Sequence, residues 1–147
     1  SGEIGRATRQ LGAIASANGY TEELRLQALI AAEHGTARHA GDTDWARIAL
    51  LYRQRDSLTA SPVVRMNRAV AVAEAGDAAG GVALLDSVGN TLGSSHRFHA
   101  VRASLAERSG DVATAIDALG HAISRCDNDV ERAHLANELT RLQQLNA

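Results

Sequence analysis

Several residue types are scarce or absent in this sequence. Its 147 residues include no lysine, one proline and one cysteine, and aromatic residues make up only 3% of the chain. The lone Cys126 excludes an internal disulfide and fits a reducing compartment, so we expect a cytoplasmic protein. No apolar run reaches the ~20 residues that a membrane-spanning helix needs. The formal net charge of −2 lacks the basic excess of nucleic-acid-binding domains, so we expect contact with neither membrane nor nucleic acid.

The abundant residues favour helices. Apolar residues make up 45% of the chain and charged residues 22%, which is the composition of a folded, soluble domain. Alanine, which is common throughout, is the strongest helix former and a poor strand former. A single proline leaves long stretches free to form helices. We therefore expect one all-α domain over residues 1–147.

Helix-start and helix-end signals divide the chain into short segments. Ser61-Pro62 combines an N-cap hydroxyl with a proline at the first helical position. Gly41-Asp42, Gly76-Asp77 and Gly110-Asp111 each place a helix-ending glycine before a capping carboxylate. Residues 89–95 form the longest predicted loop. The eight predicted helices lie near residues 3–18, 21–39, 43–58, 62–75, 77–88, 96–109, 111–126 and 129–146.

One sparse pattern occurs twice. RAVAVAEAGDAAGG (Arg68–Gly81) and RASLAERSGDVATA (Arg102–Ala115) share Arg-Ala, six residues, Gly-Asp, one residue and Ala. The copies are 34 residues apart, since Gly76 corresponds to Gly110. This is the period of the tetratricopeptide repeat, a helix–turn–helix unit that stacks on its neighbours. The chain therefore resembles a tetratricopeptide array, which implies a right-handed superhelix of antiparallel helix pairs.

The fixed positions have physical roles in such an array. We expect Gly76 and Gly110 to end the first helix of a pair in a conformation that glycine adopts cheaply. Small residues are expected at close helix contacts and leucines at the seams between units. In the two clear copies these are Ala69, Gly81, Ala103 and Ala115 at contacts, with Leu85 and Leu119 at seams. In the earlier copy they are Gly41 at the turn, Ala46 at the contact and Leu50 at the seam.

Three repeat units are predicted, at 21–58, 62–88 and 96–126. A leading helix at 3–18 and a capping helix at 129–146 flank them. Irregular helical hairpins with a chance repeat are the alternative. Arg68 and Arg102 depart from the repeat pattern, because each occupies a position where the consensus has a large apolar side chain. We expect these arginines to be paired or to extend to solvent.

Residues that could carry chemistry are few. His96 and His99 lie one helical turn apart, but no cysteine or carboxylate accompanies them at ligand spacing, so we expect no metal site. Cys126 has Arg125 beside it and no evident histidine base, so a nucleophilic thiol is not expected. No phosphate-binding glycine loop follows a strand. We therefore expect neither a cofactor nor enzyme activity. The large ring of Trp45 is expected to belong to the core.

Protein binding is the better interpretation, because stacked hairpins leave an extended surface lined by the first helix of each unit. We place this surface on the helices near 62–75 and 96–109. An amide such as Asn67 can both donate to and accept from a partner's backbone. The predicted partner-binding residues are Arg65, Met66, Asn67, Arg68, Val70, Arg97 and Arg102.

The run from Asp42 to Asp86 suggests a closer resemblance. Its most specific part is Ser61-Pro62-Val63-Val64, followed by Asn67-Arg68-Ala69-Val70-Ala71-Val72. Asp44-Trp45 and Leu84-Leu85-Asp86 also fit. These residues resemble the C-terminal extension of a subgroup of extracytoplasmic-function (ECF) sigma factors, bacterial promoter-specificity subunits of RNA polymerase. The resemblance covers nearly all of the chain from about residue 20.

The resemblance implies a regulatory role in transcription initiation. Such sigma factors carry a polymerase-binding domain and a helix-turn-helix domain, and neither corresponds to residues of this chain. In that subgroup the extension is thought to contact the sigma core domains or RNA polymerase and to modulate their activity. The leading hypothesis is therefore a protein-interaction domain of an ECF sigma factor. The alternative is a free-standing tetratricopeptide adaptor that binds a peptide of an unrelated partner.

Overall fold

The computed structural model describes residues 19–36, 41 and 43–146. This part of the chain forms eight helices and contains no strand, as the all-α prediction requires. The helices are α1 (Gly19–Thr36), α2 (Trp45–Leu58), α3 (Pro62–Glu74), α4 (Ala78–Asp86), α5 (Gly89–Leu92), α6 (His96–Arg108), α7 (Val112–Arg125) and α8 (Asp129–Leu145).

Most predicted boundaries agree with the observed ones to within two residues. The predicted helix at 3–18 and the end of the predicted helix at 21–39 lie outside the described residues. One prediction was wrong, since the expected loop at 89–95 contains the short helix α5. Val88 and Leu92, at either end of this turn of helix, pack into the core against Phe98, which draws the segment onto the protein.

Side-chain caps begin five of the helices. Asp44, Ser61, Asp77, Asp111 and Asn128 each accept a hydrogen bond from the backbone N–H three residues later. These bonds satisfy donors that the first turn leaves without an intrahelical partner. For α2 the observed cap is Asp44 and not the predicted Asp42, which lies outside the described residues.

Gly76 and Gly110 end α3 and α6 in the same way. Their φ angles are +110° and +82°, in the left-handed region that glycine adopts readily. Asp77 N–H donates to Val72 O at 3.1 Å, and Asp111 N–H donates to Ala106 O at 2.9 Å. Both ends therefore form the same helix-terminating motif, as the repeat predicted. Gly41 does not share this conformation, so its predicted role as a third equivalent turn was wrong.

Within the described residues, the core is built from three clusters in chain order. One joins α1, α2 and α3 around Leu26, Ile30 and Ile48. The next joins α3, α4 and α6, and the last joins α6, α7 and α8. Consecutive long helices therefore pack together along the chain. Trp45 packs against the first cluster and remains partly exposed.

Small residues permit the closest helix contacts. A Cβ atom added to Gly81 would lie 2.7 Å from Ala69 O on α3, so α3 and α4 meet here at backbone distance. Ala69, Ala103 and Ala115 are buried, as are Leu85 and Leu119, as predicted. The predictions for the first copy were wrong. Ala46 is exposed and Leu50 is 57% exposed, because the face of α2 that carries Ile48 and Leu51 contacts the core instead.

None of the helices that the structure describes is long and apolar enough to cross a lipid bilayer.

Candidate protein-interaction surface

Helices α3, α6 and α8 share one face of the molecule and are joined there by ion pairs. Arg108 on α6 pairs with Glu74 on α3, and Arg141 on α8 pairs with Glu107 on α6. In each pair the two residues are 34 positions apart in the chain. The same spacing therefore links three helices that are not consecutive in the chain, and we call their shared surface the α3–α6–α8 face.

A groove separates α3 from α6 on this face. It has a volume of about 250 Å³, and it is lined by Val70 and Glu74 of α3 and by Arg97 and Ser104 of α6. Its apolar floor and charged rim are typical of a protein-binding cleft. At one end Arg97 donates a hydrogen bond to the side-chain oxygen of Asn67, with an N···O distance of 3.3 Å. Three predicted site residues, Asn67, Val70 and Arg97, are therefore together here.

A second groove lies between α6 and α8. Its volume is about 320 Å³, and Ser104, Glu107, His134 and Glu138 contribute its polar lining. Glu131 borders both this groove and the α3–α6 groove. Hydrogen bonds from Arg141 hold the pKa of the Glu107 carboxyl below its usual range, so this carboxylate is charged at neutral pH. The face thus alternates acidic and basic side chains around two apolar clefts.

Arg65 and Arg68 are held away from these grooves by a buried carboxylate. Asp56, whose side chain is 4% exposed, accepts from Arg65 Nε at 3.1 Å and from Arg68 Nη1 at 2.9 Å. The expectation that Arg68 is paired is therefore confirmed. Both arginines link α3 to the end of α2 and help to fix the angle between these helices.

Two further predicted residues lie elsewhere. Met66 is 3% exposed and packs in the core with Ala69 and Leu85, so its side chain does not contribute to an accessible surface as expected. Arg102 lies in a different groove, of about 420 Å³, bordered by α4 and α6, and its Nη1 is 3.5 Å from Asp117. The seven predicted residues therefore do not form one continuous site.

The grooves that hold Arg102 and Arg68 are counterparts of each other. Arg68 and Val72 line a groove of about 400 Å³ with residues of α2. Arg102 and Ala106, which are 34 residues later, line the α4–α6 groove. Asp77 and Asp111 each border the corresponding groove. The repeat thus produces similar clefts on this side of the molecule as well.

Sequence reasoning did not single out the charged residues that join the face, namely Glu74, Glu107, Arg108 and Arg141, although the two helices predicted to carry the surface contain the first three. The signal was present, because acidic and basic residues recur 34 positions apart, at the period of the repeat. A comparison of charges at that spacing predicts both ion pairs.

His96 and His99, which lie one helical turn apart in the sequence, have separate environments in the structure. His99 is buried, and its Nε2 lies 2.7 Å from the Gly93 carbonyl oxygen. Its ring stacks on that of His121 with the centroids 5.1 Å apart. His96 instead lies beside Glu131 of α8, with 3.2 Å between Nε2 and Oε1. His96 and His99 therefore do not face a common ligand.

Comparisons with known proteins identify one relative of unknown function. No protein-family model matches the chain, and no solved structure matches it. An uncharacterized protein of Rhizobium meliloti (strain 1021) is 35% identical over 118 residues. The match covers 80% of this chain and 28% of the relative, so the chain spans less than a third of the relative's length.

Proposed function

We propose that this chain is the C-terminal regulatory domain of an ECF sigma factor. In this role it contacts the sigma core domains or RNA polymerase and modulates transcription initiation. Its fold is a tetratricopeptide-like right-handed superhelix of antiparallel helix pairs, with units at 21–58, 62–88 and 96–126. The α3–α6–α8 face is the concave, partner-binding side of this superhelix.

The observation that carries the proposal is the repeated pairing along this face. Glu74–Arg108 and Glu107–Arg141 join first helices of successive units at one constant separation. Each pair joins two positions that are one repeat length apart, and the second pair lies one position earlier in the repeat than the first. Such contacts between neighbouring first helices are expected when units stack in a helical-repeat array. The matching ends at Gly76 and Gly110 support the same arrangement. On this reading α8 occupies the place of a first helix in a fourth unit.

The structure of α3 also bears on the resemblance to sigma-factor extensions. In the motif SPVVRMNRAVAV, Ser61 caps the helix, Val64, Met66 and Ala69 fill the core, and Arg68 pairs with Asp56. These positions have structural roles, so they support the fold rather than a particular partner. Asn67 and Val70 are the members that line or border the α3–α6 groove, and they are the best candidates for contact.

The large difference in length between this chain and its relative supports the proposal that the chain is a domain of a larger protein. A relative of more than three times the matched length accommodates this chain as one part among others. A sigma core attached to such a domain would be held close to it, so a weak contact would suffice for regulation. The mixed charge of the face fits a protein partner better than a polyanion, because acidic and basic side chains alternate there.

The experiment is a binding measurement between this chain and the sigma core domains of the same bacterium, with and without core RNA polymerase. Arg97→Glu, alone and with Asn67→Ala, should weaken binding at least tenfold while the helical circular dichroism stays unchanged. Arg53→Glu is the matched control, because Arg53 is exposed and lines the groove between α2 and α3 instead.

Each outcome of this experiment has a defined meaning. Loss of binding with Arg53→Glu, and not with Arg97→Glu, would show that the partner binds at the groove between α2 and α3 instead. Absence of binding to both sigma core and polymerase would contradict the regulatory proposal. The adaptor alternative predicts that absence, together with capture of a peptide through the α3–α6 groove.

A further inference from the structure

Three side chains with metal-binding atoms meet at the junction of α6, α7 and α8. They are His96, the first residue of α6, Cys126, which follows α7, and Glu131, in the first turn of α8. The imidazole nitrogen, the thiol sulfur and a carboxylate oxygen all lie within 4.8 Å of one another. No local sequence pattern indicates this cluster, because His96 is 30 residues before Cys126.

One of the three distances between the candidate ligand atoms matches that expected around a coordinated ion. Zinc binds thiolate sulfur at about 2.3 Å and imidazole or carboxylate at about 2.0 Å, so tetrahedral ligand atoms lie about 3.3–3.8 Å apart. His96 Nε2 and Glu131 Oε1 are already 3.2 Å apart. Their side chains are 32% and 47% exposed, so both are free to adjust by rotation. Cys126 Sγ lies within 4.8 Å of both atoms, so rotation of these two side chains toward the sulfur would bring all three groups around one ion.

The backbone around the cluster is fixed by neighbouring groups. The guanidinium of Arg132 donates two hydrogen bonds to Cys126 O, at 2.6 and 3.2 Å. The side chain of Asn128 accepts from Glu131 N–H at 2.9 Å. These bonds hold the loop between α7 and α8 and thereby the two ligands that flank it. Such outer contacts lower the cost of ordering a metal site.

The thiol lies at the edge of the core, between apolar and polar surroundings. Cys126 is 3% exposed and contacts the alanine and leucine side chains of the last core cluster. Its Sγ is 3.4 Å from Asn128 O, where the S–H donates a weak hydrogen bond. An ordinary core cysteine would need neither an imidazole nor a carboxylate beside it. An ion that replaced the thiol proton would take these three groups as its ligands.

The chemistry of the donor set selects the ion. One thiolate, one imidazole and one carboxylate suit Zn²⁺, whereas Mg²⁺ and Ca²⁺ prefer ligand sets made of oxygen. The thiolate and the carboxylate together neutralise a divalent charge. Three protein ligands leave one tetrahedral position for water or for a group of a partner.

We propose that His96, Cys126 and Glu131 form a zinc-binding site that ties the start of α6 to the α7–α8 junction. Glu131 also borders both grooves of the α3–α6–α8 face, so the ion is positioned at the edge of that surface. The zinc site does not depend on the identity of the partner or on the sigma-factor proposal.

Cobalt(II) titration of the whole chain, purified after chelation, tests the site. Cobalt substitutes for zinc, and a Co–thiolate bond produces a charge-transfer band in the near ultraviolet. The expected result is this band saturating at one equivalent, together with tetrahedral bands in the visible, and bleaching when zinc is added. Failure to develop a charge-transfer band would overturn the proposal.

Variants assign the ligands. Cys126→Ser should abolish the charge-transfer band, and His96→Gln and Glu131→Gln should each weaken cobalt binding about tenfold or more. His34→Gln is the matched control, because His34 is an exposed histidine on α1 that is not part of the cluster. If Cys126→Ser loses its helical circular dichroism, the two exposed ligands decide the question. Unchanged cobalt affinity in both His96→Gln and Glu131→Gln would contradict the site.

Discussion

Glu107 accepts two hydrogen bonds from the guanidinium of Arg141, both with N···O distances of 2.9 Å, although the two residues are 34 positions apart. Glu74 and Arg108, which are also 34 positions apart, form a similar ion pair between α3 and α6. The period that appears in the sequence as glycines and alanines therefore also appears in the structure as charge pairs. The glycines and alanines mark where helices end and where they touch. The charge pairs mark which helices lie side by side.

Removal of the Glu107 charge should have a small effect that depends on salt. Because the pair is exposed to solvent, Glu107→Gln should lower Tm by only about 1–2 °C at low ionic strength and by less at high salt. The pKa of the Glu107 carboxyl is lowered by Arg141, so the stabilisation is present above the unfolded pKa and is lost as pH falls through the folded value. Thermal melts at two salt concentrations measure it. Asp127→Asn, which removes an exposed carboxylate, is the control, and an equal loss there would contradict a specific pair.

Two glycines in helices should respond in opposite ways to alanine. At Gly81 the added Cβ would meet Ala69 O at 2.7 Å and Ala73 Cβ at 3.1 Å, so α3 and α4 must separate. Gly81→Ala should therefore destabilise the protein by about 1–3 kcal/mol. At Gly120, on α7, no atom outside its own helix lies within 4 Å. Gly120→Ala should stabilise by about 0.5–1 kcal/mol, because alanine favours the helix.

Urea denaturation of both glycine variants measures these changes. A neutral or stabilising Gly81→Ala would mean that the small residue is not required at this helix contact. Since Gly120→Ala makes the same chemical change in an open position, it controls for the effect of alanine on helix propensity.

Loss of the Asp56 carboxylate should be more costly than loss of an exposed one. Asp56→Asn keeps the side-chain shape but leaves Arg65 and Arg68 without their anionic partner. Because both arginines reach solvent, we expect a cost of about 2 kcal/mol, below that of a fully buried pair. Asp86→Asn, at an exposed position on α4, should be nearly neutral in the same denaturation experiment. Equal effects in the two variants would show that the ion pairs contribute no net stability.

The parts of the fold that depend on local chemistry could be predicted from the sequence. The caps at Ser61, Asp77 and Asp111 and the helix ends at Gly76 and Gly110 follow from residue type and neighbours alone. The first repeat copy was predicted less well. Its glycine, Gly41, lacks the left-handed conformation of the other two, so the register carried over from them placed Ala46 and Leu50 on the wrong face.

The candidate surface was only partly predictable. Met66 lies three residues before Ala69 and seven before Ala73, which is helical spacing for the buried face. Asn67, Val70 and Glu74 follow the same spacing on the neighbouring face. Consistent use of periodicity would therefore have removed Met66 from the predicted surface. The meeting of His96 with Cys126 and Glu131 could not be predicted this way, because it depends on how α6 packs against the α7–α8 junction.

The protein should lose stability as the pH falls below the ordinary pKa of histidine, and His99 should cause part of that loss. Burial lowers the pKa of His99, while the Gly93 carbonyl acts in the opposite direction. Arg125, His121 and Arg102 are the charged or titratable groups that also lower it. The Nδ1 atom is buried and has no hydrogen-bond partner, so a proton added there would have no acceptor.

The direction in which His99 changes stability with pH follows from its lowered pKa. Above the ordinary value of 6.5 the ring is neutral in both states, and His99 adds no pH dependence. As pH falls through 6.5, the unfolded chain takes up the proton first, so the free energy of unfolding decreases until the folded pKa is reached. His99→Gln keeps a donor for the Gly93 carbonyl and does not titrate. Its Tm should therefore decrease less than that of the wild type between about pH 7.5 and about pH 5.5. His134→Gln, which removes an exposed histidine, should keep the wild-type slope, and an unchanged slope in His99→Gln would assign the pH dependence to other groups.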